Sequence, residues 1–156
     1  MSCTVAPWTP PTYQQFQAFF FRDFPYADPN TPATDLNYVQ PQDINNAIDL
    51  GVINFSPSMF DVQSGQSTTV FMYLAAFYLV ENLKMAAKGI AAQANFSLES
   101  IAAGGVNVGM RPPESFLKNP TYNMFTRNAY GLQYLSLVYP YTIGAMQLAP
   151  GTTTFS

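Results

Sequence analysis

TTVFMYLAAFYLVENLKMAAKG, residues 68–89, is apolar all round over its first turns and then acquires Glu81, Lys84 and Lys88 at helical spacing. Apolar residues on every side require burial on every side, and a charged face that recurs with the helical period marks a return to water. The pattern predicts one long helix that enters the core and leaves it. At 1.5 Å per residue it would run about 33 Å, the width of a small domain, so the other elements must pack around it. Ala75, Ala76, Ala86 and Ala87 leave room for close crossings. The longest apolar run, Val70 to Val80, covers 11 residues, against the ~20 that a membrane helix needs. No basic region precedes an apolar run at the N-terminus. Neither a membrane span nor a secretion signal is expected.

The whole chain of 156 residues is 48% hydrophobic and 15% aromatic, which predicts one globular domain with a sizeable core. Charged residues make up only 10%, far below the usual quarter, so charge alone does not keep the surface solvated. Part of that surface is expected to be covered by partners; the competing reading is a monomer coated in Ser, Thr, Asn and Gln. The charge is also uneven. Residues 1–81 set Arg22 against six aspartates and Glu81, a balance of −6, whereas Lys84, Lys88, Arg111, Lys118 and Arg127 against Glu99 and Glu114 give the remainder +3. Opposite patches on one molecule favour and orient a head-to-tail contact, unless the division is a coincidence of a mixed surface. No cluster of Lys or Arg supports tight nucleic-acid binding. The single cysteine, Cys3, allows no internal disulfide, so the fold does not depend on an oxidising compartment.

Working outward, residues 1–11 are a Pro-rich lead with the lone Trp8, and Thr9-Pro10 resembles a helix N-cap followed by proline at the first helical position. Tyr13, Phe16 and Phe20 then form an aromatic stripe, which is expected to end at Phe24 before Pro25. Residues 26–40, with Pro29 and Pro32, read as a loop. Pro41 opens a second helix with Asp43 in its first turn and Ile44, Ile48, Val52 and Phe55 as its buried edge; Ser56-Pro57 stops it. Beyond the long helix, residues 89–100 suit either a continued helix or a loop. GGVNVGM, residues 104–110, places Val106, Val108 and Met110 on one face by strict alternation. A lone strand cannot satisfy its own hydrogen bonds, so this arm, about residues 96–113, either folds back as a hairpin or pairs with another subunit.

Asn119-Pro120 caps a last helix over residues 121–139, with Tyr122, Phe125, Ala129, Leu132, Leu135 and Tyr139 on its buried side and Pro140 as its end. Gly131 inside it costs about 1 kcal/mol relative to alanine, which is understandable if another backbone passes close there. The tail YTIGAMQLAPGTTTFS, residues 141–156, carries no charge and too little periodicity for a helix. It is expected to be extended, with Tyr141, Ile143, Met146, Leu148 and Phe155 available for docking; the alternative is a frayed or locally folded terminus. The organisation expected is a domain over residues 1–140 and a docking tail over 141–156. Its fold class is mainly α: a small helical bundle around one long central helix, with a short β-hairpin or extended arm and an extended C-terminal tail.

For chemistry the inventory is poor. The chain has no histidine and one cysteine, so Ser/His/Asp and Cys/His sites are impossible and a zinc site would need an unusual all-carboxylate or mixed shell. Asp43 and Asp49 share a helix but face different directions, and Glu81, Glu99 and Glu114 have no spacing that brings them together. Gly104, Gly105 and Gly109 alternate with valine and do not lead into a helix, unlike a phosphate loop. No catalytic residue, metal or cofactor is assigned, and an enzyme is not expected.

Several motifs in order carry a resemblance: FRDFP at residues 21–25, the LAA step at 74–76 in a long apolar helix, GGVNVGM, the Asn119-Pro120 helix start, and T-x-x-x-Y-G-x-x-Y at 126–134. Together they resemble small bacteriophage head-tail connector proteins, the adaptor or head-completion proteins that bind beneath the portal of tailed phages. The likeness spans about residues 13–151. It implies a mainly helical virion protein, assembled in the host cytoplasm as a ring of about twelve copies in the phage neck, with a channel for DNA ejection. Its partners would be the portal, a tail or head-closure protein and, transiently, viral DNA; no membrane is implied. By role, Val106, Val108 and Met110 would be ring contacts and Tyr141, Ile143, Met146, Leu148 and Phe155 the portal-docking tail. Candidates for lining the channel are Lys84, Lys88, Arg111, Lys118 and Arg127. The small, apolar stretch 91–103 is longer than such proteins lead one to expect. Rival readings are a head-closure or tail-terminator ring lower in the neck, a small cytoplasmic binding module with an aromatic-lined pocket, and an enzyme with clustered carboxylates in a cleft.

Overall fold

The computed structural model describes residues 7–61, 65–88 and 114–148. These are mainly helical, with no strand among them. In chain order the helices are α1 (Tyr13–Phe19), α2 (Pro41–Ile53), a 3-10 turn (Pro57–Met59), α3 (Gln66–Lys88), α4 (Glu114–Lys118), α5 (Pro120–Phe125) and α6 (Ala129–Leu148).

Local sequence explains most of the boundaries. Thr12, not Thr9, caps α1: its side chain accepts from Gln15 N, and the Gln15 side chain accepts from Thr12 N in return. That reciprocal box satisfies two otherwise unpaired donors, which Thr9-Pro10 does not do. α1 stops at Phe19, earlier than Phe24, and the chain turns so that Phe16, Phe20 and Phe24 still share one aromatic cluster. Residues 26–40 form the expected loop, pinned by one isolated bridge between Tyr26 and the buried Val39. Pro41 opens α2, and Asp43 accepts from Gln40 N at 2.9 Å. Ile44, Ala47, Ile48 and Gly51 form its buried side; Val52, expected there, stands at the margin of that side in the last turn and is 41% exposed.

α3 is 23 residues long and packs against both α2 and α6. Gly65, at φ 75°, turns the chain into it, a conformation that side chains with a Cβ disfavour. The buried Ser67 donates to Pro57 O at 3.2 Å and ties its start to the 3-10 turn. Phe71, Leu74, Ala75, Ala76, Phe77 and Leu79 are buried, in line with an all-round apolar run. Trp8 anchors the N-terminal lead on this helix, edge-on to Phe71 and tilted against Phe55, with its indole N–H donating to Thr68 Oγ1 at 3.3 Å.

Two expectations about the C-terminal part are corrected. The helix anticipated over 121–139 is two helices, broken at residues 126–128. Thr126 Oγ1 donates to Asn123 O at 2.7 Å and Asn128 Oδ1 accepts from Gly131 N at 3.0 Å, so short polar side chains compete for the backbone and impose an end and a new start. Ala129, expected on the buried side, is exposed at that start. The second correction concerns Pro140, which does not end α6. The helix runs through it to Leu148, so the first half of the tail is helical and not extended. Pro140 has no N–H to give α6 and sits on an exposed side of the helix, where a proline is tolerated better than in a packed interior. The arm with Val106, Val108 and Met110, the undecided stretch 89–103, and Phe155 lie outside the described residues.

Candidate functional site

Several polar groups converge where α3 meets the break between α5 and α6. Glu81, on the second half of α3, accepts from Asn128 Nδ2 at 2.8 Å and from Lys84 Nζ at 3.2 Å. Asn128 also caps α6 through Gly131 N and reaches Phe77 O at 3.5 Å. Lys84 Nζ lies 3.5 Å from Arg127 O. One asparagine thus starts a helix and fastens it to the next element. The sequence reading missed it; an Asn placed three residues before Gly131 at the head of an apolar run was the available signal.

Gly131 is the steric counterpart of that junction. A Cβ on it would stand 2.0 Å from Phe125 O and 2.8 Å from Phe77 Cδ2, so the close approach of another backbone is met, and the backbone is that of the preceding helix. Across the molecule, Tyr130 OH donates to Asp23 Oδ1 at 3.2 Å and its ring stacks on Phe24 at 5.3 Å, fastening α6 to the segment after α1. Burial pushes Tyr130 up to about 12, with the Asp23 carboxylate adding to the shift, and Tyr26 is raised to about 12 by the same two causes. Burial likewise raises Tyr134 to about 12.

The candidate channel-lining cations separate in space. Lys84 and the Arg127 backbone are brought together, next to Glu81. Lys118 sits apart on α4, 81% exposed and 3.9 Å from Glu114, a surface pair of little energetic weight. Lys88 is the last residue of α3, and Arg111 lies outside the described residues. Of the tail candidates, Ile143, Met146 and Leu148 lie on the α6 backbone. Tyr141 has a different occupation: its ring meets Phe60 edge-on at 4.9 Å and its hydroxyl takes a hydrogen bond from Gln66 Nε2. It belongs to the folded domain.

A cleft of about 210 Å³ opens between the end of α2, α3, α5 and α6, lined by Asn54, Tyr78, Tyr122, Tyr134, Leu135 and Val138 among others. Asn54 Nδ2 donates to Tyr78 OH at 2.9 Å on its wall. Ligand pockets for drug-sized molecules span roughly 300–1,000 Å³, so this cleft suits at most a side chain or a small fragment. Among the described residues, no group of three or more His, Cys, Asp and Glu could hold a metal ion. α3 also has the length and apolarity to cross a bilayer over Gln66–Ala87, at mean hydropathy 1.3; 44% of its most apolar window is buried inside this fold.

Several large apolar side chains remain on the outside, among them Phe21, Leu36 and Ile53, 66, 67 and 76% exposed. Comparison of the chain with family models, curated proteins and solved structures gives no match.

Proposed function

We propose that this chain is a structural subunit of a phage neck, forming a ring that joins the portal to the tail and leaves a channel for DNA. In this reading the helices form a small bundle around α3, the arm over about 96–113 joins neighbouring copies, and the chain beyond Tyr141 faces the portal. The carrying observation is the exposure of Phe21, Leu36 and Ile53 on a chain with only 10% charged residues, since apolar surface of this kind favours coverage by partners. The particular assembly comes from the resemblance to head-tail connector proteins carried by FRDFP at 21–25, GGVNVGM at 104–110 and T-x-x-x-Y-G-x-x-Y at 126–134. A head-closure or tail-terminator ring lower in the neck is the alternative within the same class. A small binding module is the alternative outside it, and the 210 Å³ cleft is the feature that favours it.

The portal-facing role passes to Ile143, Met146, Leu148 and Phe155, since Tyr141 is engaged with Phe60 and Gln66. Helical backbone up to Leu148 means that the first of these are presented on α6 and not on an extended arm. Contact with DNA is expected to be weak and independent of sequence, because each subunit has six basic residues and a passage for moving DNA must not grip it.

The test is electron microscopy of the purified protein, alone and mixed with portal rings. Rings with an open centre that stack on the portal are expected. A protein that stays a single subunit and ignores the portal overturns the proposal, and tight sequence-selective DNA binding at physiological salt would overturn the channel.

A further inference from the structure

The cleft between the end of α2, α3, α5 and α6 holds a buried hydroxyl that the protein leaves unpaired. Tyr134 lines this cleft and is only 8% exposed. Among the described residues its hydroxyl has no hydrogen-bond partner, yet no polar side-chain atom of those residues is sealed away unsatisfied. The hydroxyl therefore opens onto the space that the side chain lines. A second hydroxyl stands on the same wall. Tyr78 OH accepts from Asn54 Nδ2 at 2.9 Å, and among the described residues its own proton has no acceptor. Burial, and after it the neighbouring Tyr78, raises the pKa of Tyr134, and burial raises that of Tyr78. Both side chains are thus neutral at physiological pH, each with an O–H to give.

We propose that this cleft binds a neutral, single-ring aromatic compound bearing a carbonyl, whose oxygen accepts from Tyr134 and Tyr78 while its ring rests against Phe125, Leu135 and Val138. Size fits: an apolar cavity of about 150 Å³ holds benzene, and this cleft of about 210 Å³ has room for one ring and a small substituent. The Phe125 and Tyr134 rings, 5.1 Å apart, offer an aromatic guest tilted and edge-on contacts. A carbonyl oxygen has two lone pairs and can take both donors. A hydrocarbon would leave both hydroxyls unpaired. None of the described residues that line the cleft is charged, so an ionised guest would lose its hydration without gaining a counter-charge. The site lies within one subunit and does not depend on the chain forming a ring.

The experiment is saturation-transfer difference NMR on the full-length protein titrated with benzamide, with toluene and benzoate as comparisons; the readout serves a single subunit and a ring alike. Benzamide is expected to bind, toluene to bind about threefold or more weaker, and benzoate about tenfold or more weaker. Tyr134→Phe should weaken benzamide about three- to tenfold and leave toluene unchanged, a difference that a general loss of packing would not produce. Val138→Trp fills the cleft and should abolish binding of both. Circular dichroism checks that each variant is folded, and Tyr134→Phe decides alone should Val138→Trp lose helicity. Absence of benzamide binding, or equal binding by wild type and Tyr134→Phe, overturns the site. Toluene or benzoate binding as tightly as benzamide overturns the neutral carbonyl compound as its ligand.

Discussion

Gly131 lies so close to the Phe125 carbonyl that a Cβ on it would stand 2.0 Å from that oxygen. The atom in the way is backbone, and it cannot swing aside as a side chain can. Gly131→Ala should therefore destabilise the protein by about 1–3 kcal/mol through forced displacement of α5 from α6, even though alanine is the better helix former by about 1 kcal/mol. Urea unfolding followed by circular dichroism checks this. A neutral or stabilised variant would mean that the two helices do not approach as described.

Asn128 does two things at once, and two substitutions separate them. Asn128→Ala loses the cap on Gly131 N and the donor to Glu81, and should cost about 0.5–2 kcal/mol for the cap alone. Asn128→Asp keeps a capping oxygen but turns the partner of Glu81 into a second carboxylate. It should be less stable than wild type at pH 7 and regain ground as the pH falls through the carboxylate range. A pH-independent deficit would show that the contact with Glu81 is not formed.

Pro140 and Tyr141 make opposed contributions to α6. An interior proline disfavours a helix by up to about 3 kcal/mol, so Pro140→Ala should raise the melting temperature, with part of the gain offset by the freer unfolded chain. Tyr141→Ala should lower it, because Phe60 and Gln66 lose their partner. Truncation before residue 140 should then destabilise the domain, while truncation after residue 142 should spare it. Equal melting temperatures for the two truncations would return Tyr141 to the tail.

Alkaline pH should weaken the fold. Tyr26, Tyr130 and Tyr134 are raised from 10.0 to about 12, so between those values the folded chain holds protons that the unfolded chain has released. Their contribution to stability is complete below pH 10 and falls as the pH rises toward 12. Melting temperatures measured from pH 8 to 12 should drop across that window, less steeply in Tyr130→Phe. A flat profile would mean that these hydroxyls are solvated like free tyrosine.

Much of the local structure is written in short sequence signals. Pro41 with Asp43, and Asn119 with Pro120, start helices because one or two residues suffice to satisfy the first free N–H groups. The helix Gln66–Lys88 is legible because its apolar character covers several turns, and the cost of Gly131 is legible because glycine is a poor helix former. The scarcity of charge is legible in composition, and its division along the chain in the order of residues. The exposure of Val52 is not, since its spacing from Ile44 and Ile48 places it on the buried side and only the packing around the end of α2 leaves it uncovered.

What the amino-acid sequence determined by itself is a mainly helical chain with a poor chemical inventory, no histidine and a charge division along its length. Those properties belong to residues or to runs of neighbours, and need no partner in space. Tertiary structure alone decided that Pro140 is carried within a helix and that residues 126–128 interrupt one. It also decided that Asn128 joins α6 to Glu81 and that Tyr141 packs on Phe60. Each of these depends on groups between 47 and 81 residues apart in the chain, or on competition between side chain and backbone. Local propensity contributes only tenths to a few kcal/mol to such choices, and contacts made by distant residues outweigh it.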